Sequence, residues 1–157
     1  MAGESGAEEG GVMISEAAAR ERLARFVGRW VGEGETNGKA IRDEAAWAWT
    51  LGERFLKMSY RALAGDSFAA EGYFWYNAAS GQFEFYEFNN GRAPVRFLVG
   101  HVEDETLIFE ERTETNQVQI VFAWLDDDSL TMTETGRLDG RTHAVQETFR
   151  RQASSHG

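Results

Sequence analysis

From Gly28 onward the chain alternates apolar and polar residues with a period of two, in about ten short runs separated by turn residues. A strand sends successive side chains to opposite faces, so this alternation predicts strands with one buried and one solvated face. The predicted strands are roughly residues 29–36, 44–50, 54–62, 68–77, 82–89, 95–101, 106–113, 118–125, 129–135 and 143–150. Ala64-Gly65-Asp66, Ala79-Ser80-Gly81, Asn89-Asn90-Gly91, Asp126-Asp127-Asp128 and Asp139-Gly140 carry turn chemistry. Connections this short cannot hold crossover helices, so neighbouring strands must be antiparallel. About ten such strands in up-and-down order are expected to close into a barrel, which removes the exposed edges. The fold class read from the sequence is therefore all-β.

Ahead of the strands lies a short helical stretch. Ser15 is a good N-cap, Ala17, Ala18 and Ala19 are strong helix formers, and Leu23, Phe26 and Val27 make an apolar stripe ending at Gly28. The expected organisation is a disordered tail over residues 1–14, one barrel domain over 15–151, and a flexible tail over 152–157.

Charge and composition exclude several classes. The net charge is −10, and removing the three N-terminal acids Glu4, Glu8 and Glu9 leaves −7 on the body. An acidic fold repels phosphate backbones and anionic lipid surfaces, so neither nucleic acid nor membrane is an expected partner. There is no cysteine, which excludes disulfides, thiolate catalysis and Cys-ligated zinc. The N-terminus lacks the charge and apolar core of a signal peptide, and the expected location is the cytoplasm.

The alternation also predicts which side chains face inward. Trp47 and Trp49 share a face, as do Leu56, Met58 and Tyr60. The 95–101 run is read with Val95, Phe97, Val99 and His101 inward. Leu107 and Phe109 share a face, followed by Val118, Ile120, Phe122 and Trp124, then Leu130 and Met132, then Val145 and Phe149.

The stretch Phe26-Val27-Gly28-Arg29-Trp30-Val31-Gly32-Glu33-Gly34-Glu35 follows the helix. A short helix, a Gly-x-Trp on the first strand and a meander ending in an Arg-bearing strand resemble the calycin superfamily. The longer Gly-x-Trp-x-Gly-x-Gly form looks most like the haem-binding nitrobindins and related uncharacterised bacterial families, with fatty-acid-binding proteins in the same superfamily. The resemblance implies a calycin-like barrel in which Trp30 packs at a closed end against Arg150 or Arg151, as a guanidinium stacks on an indole. It also implies haem, with His143 the first axial candidate and His101 the second, although the residues around His143 depart from the nitrobindin motif.

Few residues point to catalysis. There is no nucleophile elbow, and no histidine pair has zinc-site spacing. Gly32-Glu33-Gly34 does not fit a phosphate loop and is read as a bend in the first strand. Glu110 and Glu111 face opposite ways and cannot form one acid/base pair. Glu111 and Glu134 fall on apolar faces; they are read at the open, wet end, with Arg54 or Arg96 the conceivable partner of an inward carboxylate.

The aromatic distribution says most about function. Thirteen of the twenty aromatic residues lie between Trp47 and Phe88, and both faces of the hairpin over residues 68–89 are aromatic. A barrel of this size holds side chains or one small ligand. The leading expectation is a cavity for a small apolar or aromatic ligand, lined by Trp47, Trp49, Met58, Tyr60, Phe97, His101, Phe109, Phe122, Trp124 and Met132, binding without chemistry or cofactor. A haem protein acting on reactive nitrogen species and a filled, non-catalytic interaction barrel are the competing classes. The aromatic face left outside the barrel points to a homodimer through the hairpin.

Overall fold

The computed structural model describes residues 14–64 and 67–153. Apart from Ile14, Gln152 and Ala153, the expected tails lie outside the described residues, as do His156 and the centre of the turn at residues 64–66. One helix, α1 (Glu16–Ala24), precedes β1 (Gly28–Thr36), β2 (Lys39–Thr50), β3 (Phe55–Ala62), β4 (Ala69–Asn77), β5 (Gln82–Asn89), β6 (Val95–Glu103), β7 (Thr106–Arg112), β8 (Gln117–Asp126), β9 (Ser129–Leu138) and β10 (Arg141–Arg151). Each strand pairs antiparallel with its neighbours in sequence, and β1 pairs with both β2 and β10. The result is an all-β, closed ten-stranded antiparallel barrel with one short helix, as the alternation implies. Ser15 caps α1 by accepting a hydrogen bond from the Ala18 amide at 3.0 Å.

One end of the barrel is sealed. Trp30 is fully buried, donates from Nε1 to the Phe26 carbonyl at 2.8 Å, and lies 4.3 Å beneath the Arg151 guanidinium. Arg151, rather than Arg150, also donates to the carbonyls of Arg25 at 2.9 Å and Asp127 at 3.0 Å, and to Asp128 Oδ1 at 2.9 Å. It therefore ties the end of α1 to the β8–β9 turn and the last strand. Phe26 completes the plug by meeting Trp47, Phe74, Phe122 and Trp124 at 5.2–5.7 Å. The glycines of β1 serve close approach: a Cβ at Gly34 would stand 1.8 Å from the Gln146 carbonyl oxygen, and one at Gly32 would stand 2.5 Å from the Phe149 ring.

Strand β6 reverses the expected orientation. Arg96, Leu98 and Gly100 face inward and are buried, whereas Val95 and Phe97 are 69% and 44% exposed. Register gives the reason. Phe83 and Phe85 point inward from β5, and they pair with Gly100 and Leu98 on the same face of the sheet. Gly100 is glycine because the Phe109 ring fills its place: a Cβ there would approach that ring to 2.6 Å. The more apolar set is left outside, where Phe97 stacks on Tyr86 at 4.8 Å.

The same choice settles the hairpin. Phe74, Phe83 and Phe85 are buried in the barrel, while Tyr73, Trp75, Tyr86 and Phe88 form its outer face. Beneath that face Glu84 accepts hydrogen bonds from Trp75 Nε1 at 2.8 Å, the Tyr86 hydroxyl at 3.0 Å and Asn77 Nδ2 at 3.1 Å.

Candidate functional site

Opposite the plug the barrel is open, and the inward faces of the strands diverge around a cavity of about 820 Å³. Its deep wall carries Trp47, Met58, Phe85, Phe122, Met132 and Phe149; Lys39 and Arg92 stand exposed at its mouth. Of the ten residues expected to line a cavity, Trp47, Met58, Tyr60, Phe122 and Met132 do so. Phe109 is inward but packs against Phe74 and Phe85, at 5.3 and 5.6 Å, in the filled half of the barrel. Trp124 belongs to the plug, under Arg25 at 4.2 Å, and Trp49 lies beneath Arg20 at 5.0 Å. Phe97 and His101 are on the outer face of β6, where His101 Nε2 pairs with Glu103 at 2.7 Å. Those two side chains are turned away from the cavity because β6 is held in register by its inward Arg96.

The cavity wall has two polar poles, and sequence reasoning missed most of both. The first joins β2, β3 and β10. The Tyr60 hydroxyl lies 2.5 Å from Asp43 Oδ2 and 2.6 Å from Glu147 Oε1. Burial, then the neighbouring Asp43, pushes the Glu147 carboxyl from 4.5 up to about 9. Burial and the two flanking carboxyl groups push the Tyr60 hydroxyl far above its ordinary range.

The second pole is built around Arg96. Its Nε donates to Glu111 Oε1 at 2.9 Å and its Nη1 to Glu134 Oε2 at 2.9 Å, with Glu87 Oε2 at 3.7 Å. Asn116 Nδ2 supports Glu111 at 3.2 Å, Asn89 Nδ2 supports Glu87 at 2.7 Å, and His143 Nε2 reaches Glu134 at 3.1 Å. Burial raises the Glu87 carboxyl despite the guanidinium. Burial also works to raise Glu134, but the His143 hydrogen bond and Arg96 more than offset it and hold that carboxyl below its usual range. Glu111 and Glu134 are 2% and 9% exposed and paired with Arg96, so the expectation of a wet location is overturned. Arg54 is exposed and takes no part. The available signal was a carboxylate interrupting an apolar face: Asp43 before Ala45 and Trp47, Glu87 after Phe85, and Glu147 between Val145 and Phe149.

These residues do not fit haem. His101 is outside, and His143 lines the cavity with its Nε2 engaged by Glu134. Haem propionates entering beside Glu87, Glu134 and Asp43 would meet like charge. Among the described residues, no group of three or more His, Asp or Glu is arranged to hold a metal ion. No helix among them is long and apolar enough to cross a membrane.

Fold and plug together define a closed ten-stranded antiparallel barrel, sealed at one end and hollow at the other. The S-type phycobiliprotein lyase CPES from Guillardia theta has a similar solved structure, with a TM-score of 0.60 and 11% sequence identity over 90% of this chain and 99% of that one. At that identity the likeness shows a shared fold. No protein-family profile matches the sequence, and no curated protein does.

Proposed function

We propose that the protein binds a small, largely apolar, ring-containing ligand in the barrel cavity, by burial and without covalent chemistry or a cofactor. The observation that carries the reading is the one-ended cavity of about 820 Å³ with aromatic and methionine walls, within the size range of small-molecule sites. The similar structure belongs to a phycobiliprotein lyase, and a ligand in the barrel is in keeping with that likeness. The acidic net charge of −10 disfavours nucleic acid and anionic membranes as partners, and the absence of cysteine suits the cytoplasm. Nile red titration tests the reading: its emission should rise and saturate at one dye per chain. Met58→Trp combined with Met132→Trp, which places two indoles in the cavity, should weaken the response. An unchanged response in that variant would refute a cavity site.

We further propose a homodimer through the outer face of β3–β6. Phe55, Tyr73, Trp75, Tyr86, Phe88, Val95 and Phe97 form one apolar patch there, with rings of Phe55 and Trp75 5.4 Å apart. From strand spacing it covers about 400 Å², the size of a functional patch on a monomer. The Lys57–Glu71 pair at 3.3 Å leaves its edge neutral, and the Glu84 carboxylate is held by its three donors.

A further inference from the structure

Resting on the cavity reading, we infer that the cavity selects a ligand presenting a positive charge or N–H donors to Asp43, and rejects one headed by a carboxylate. Among the described residues lining the cavity, only Lys39, Arg92 and Arg96 carry a permanent positive charge. Lys39 and Arg92 are exposed at the mouth, where solvent screens them. Arg96 lies on the wall inside, but it is already surrounded. Glu111 Oε1 accepts from its Nε at 2.9 Å and stands 2.9 Å from Nη2, which is buried without a hydrogen-bond partner, and Glu134 and Glu87 flank its Nη1 at 2.9 and 3.7 Å. Three carboxyl groups surround its single charge, and its unpartnered Nη2 is buried, so it offers a fourth carboxylate little net attraction. A carboxylate entering beside it would instead meet Glu87, Glu134 and Asp43, all on the cavity wall.

The Asp43 pole is short of donors. One Tyr60 hydroxyl hydrogen lies between two carboxyl groups, at 2.5 and 2.6 Å, and can satisfy only one of them. The second contact needs a proton on a carboxyl, and Glu147, fully buried behind the wall, is the group placed to keep it. The chain Glu147–Tyr60–Asp43 then runs outward and ends on the Asp43 carboxylate, the carboxyl of the pair that lines the cavity. Glu147 Oε2 meets no hydrogen-bond donor in the protein although it is buried. Glu147 is out of a ligand's reach, so Asp43, which accepts from the Tyr60 hydroxyl and lines the cavity, is the acceptor this pole presents, and an ammonium or N–H-bearing ligand supplies its missing donor.

Calorimetric titration with three probes of one shape tests this: 2-naphthylmethylammonium, 2-methylnaphthalene and 2-naphthoate, at neutral pH. Phe97→Glu serves as the control for the outer aromatic face, because binding there should fall in it while cavity binding persists. The ammonium is expected to bind at least about tenfold more tightly than the carboxylate, the size of one charge-assisted hydrogen bond. Asp43→Asn should weaken the ammonium by about the same factor and leave 2-methylnaphthalene unchanged. If that variant does not fold, the ranking of the three probes on the parent protein decides. Binding of 2-methylnaphthalene with no preference for ammonium over carboxylate overturns the inference and leaves the cavity reading standing. Failure of all three to bind overturns both.

Discussion

Replacing Glu147 with glutamine should stabilise the protein at pH 8 and leave it no more stable near pH 4.5. Glu147 is fully buried and faces Tyr60 from β3, Asp43 from β2 and Glu134 from β9. Its carboxyl is raised from 4.5 to about 9, first by burial and then by Asp43. The folded state thus binds this proton more tightly than the unfolded chain does. The sign follows: the contribution is complete below about pH 4.5 and falls by about 1.4 kcal/mol for each pH unit up to about pH 9. At pH 7 the loss is on the order of 3 kcal/mol. Glutamine keeps the shape, has no proton to lose, and can donate to the Tyr60 oxygen as the protonated acid does. Guanidinium melts of both proteins at several pH values from about 4.5 to 8 check this, because the difference between them removes the titration of every other group. A difference that is flat with pH, or that turns against the variant as pH rises, would refute the assignment of the shared proton to Glu147.

Three further outcomes are expected. Trp30→Ala should cost about 3–5 kcal/mol in denaturant melts, since it empties a fully buried aromatic site under Arg151; a loss below about 1 kcal/mol would mean the end is not sealed by this ring. Arg96→Met should cost about 3–5 kcal/mol, because it strands Glu111 and Glu134 as buried carboxyl groups without their cation, and adding Glu111→Met and Glu134→Met should recover part of the loss in the same melts. Phe97→Glu places a charge in the outer aromatic patch and should convert a dimer at low micromolar concentration into the 17.6 kDa monomer by sedimentation; a parent protein that is already monomeric there would rule the interface out.

The barrel itself was legible in the sequence, because period-two patterning and turn residues are local signals. Asp139-Gly140 illustrates this, with both residues at positive φ, 53° and 72°. Trp30 and the C-terminal arginines were legible from the layout of the family that the opening Gly-x-Trp stretch resembles. The orientation of β6 was not. Its outer set, Val95, Phe97 and Val99, is more apolar than its inner set, Arg96, Leu98 and Gly100. Hydropathy alone therefore points the strand the wrong way. The inner set makes sense only beside Phe109, which needs the space at Gly100, and beside Glu87, Glu111 and Glu134, which need the guanidinium. The polar poles escaped for the same reason. Each acid looks like a surface residue until strands far apart in sequence bring it to its partner, as β10 brings Glu147 to Tyr60 across 87 positions.

The two-faced aromatic hairpin bears on how the chain finds its pairing. In most sheets a one-residue slip is forbidden because it turns the apolar side chains out into water. In β4 and β5 such a slip would exchange Phe74 and Phe85 for Tyr73 and Tyr86, and hydrophobicity would scarcely notice. Acids set the alignment instead. Glu84 outside is clasped by Trp75, Asn77 and Tyr86, and Glu87 inside stands 3.7 Å from Arg96. A slipped hairpin would drive Glu84 into the aromatic core and carry Glu87 away from its cation. Two carboxylates three positions apart, and therefore on opposite faces of one strand, thus act as a register lock for the most aromatic segment of the protein.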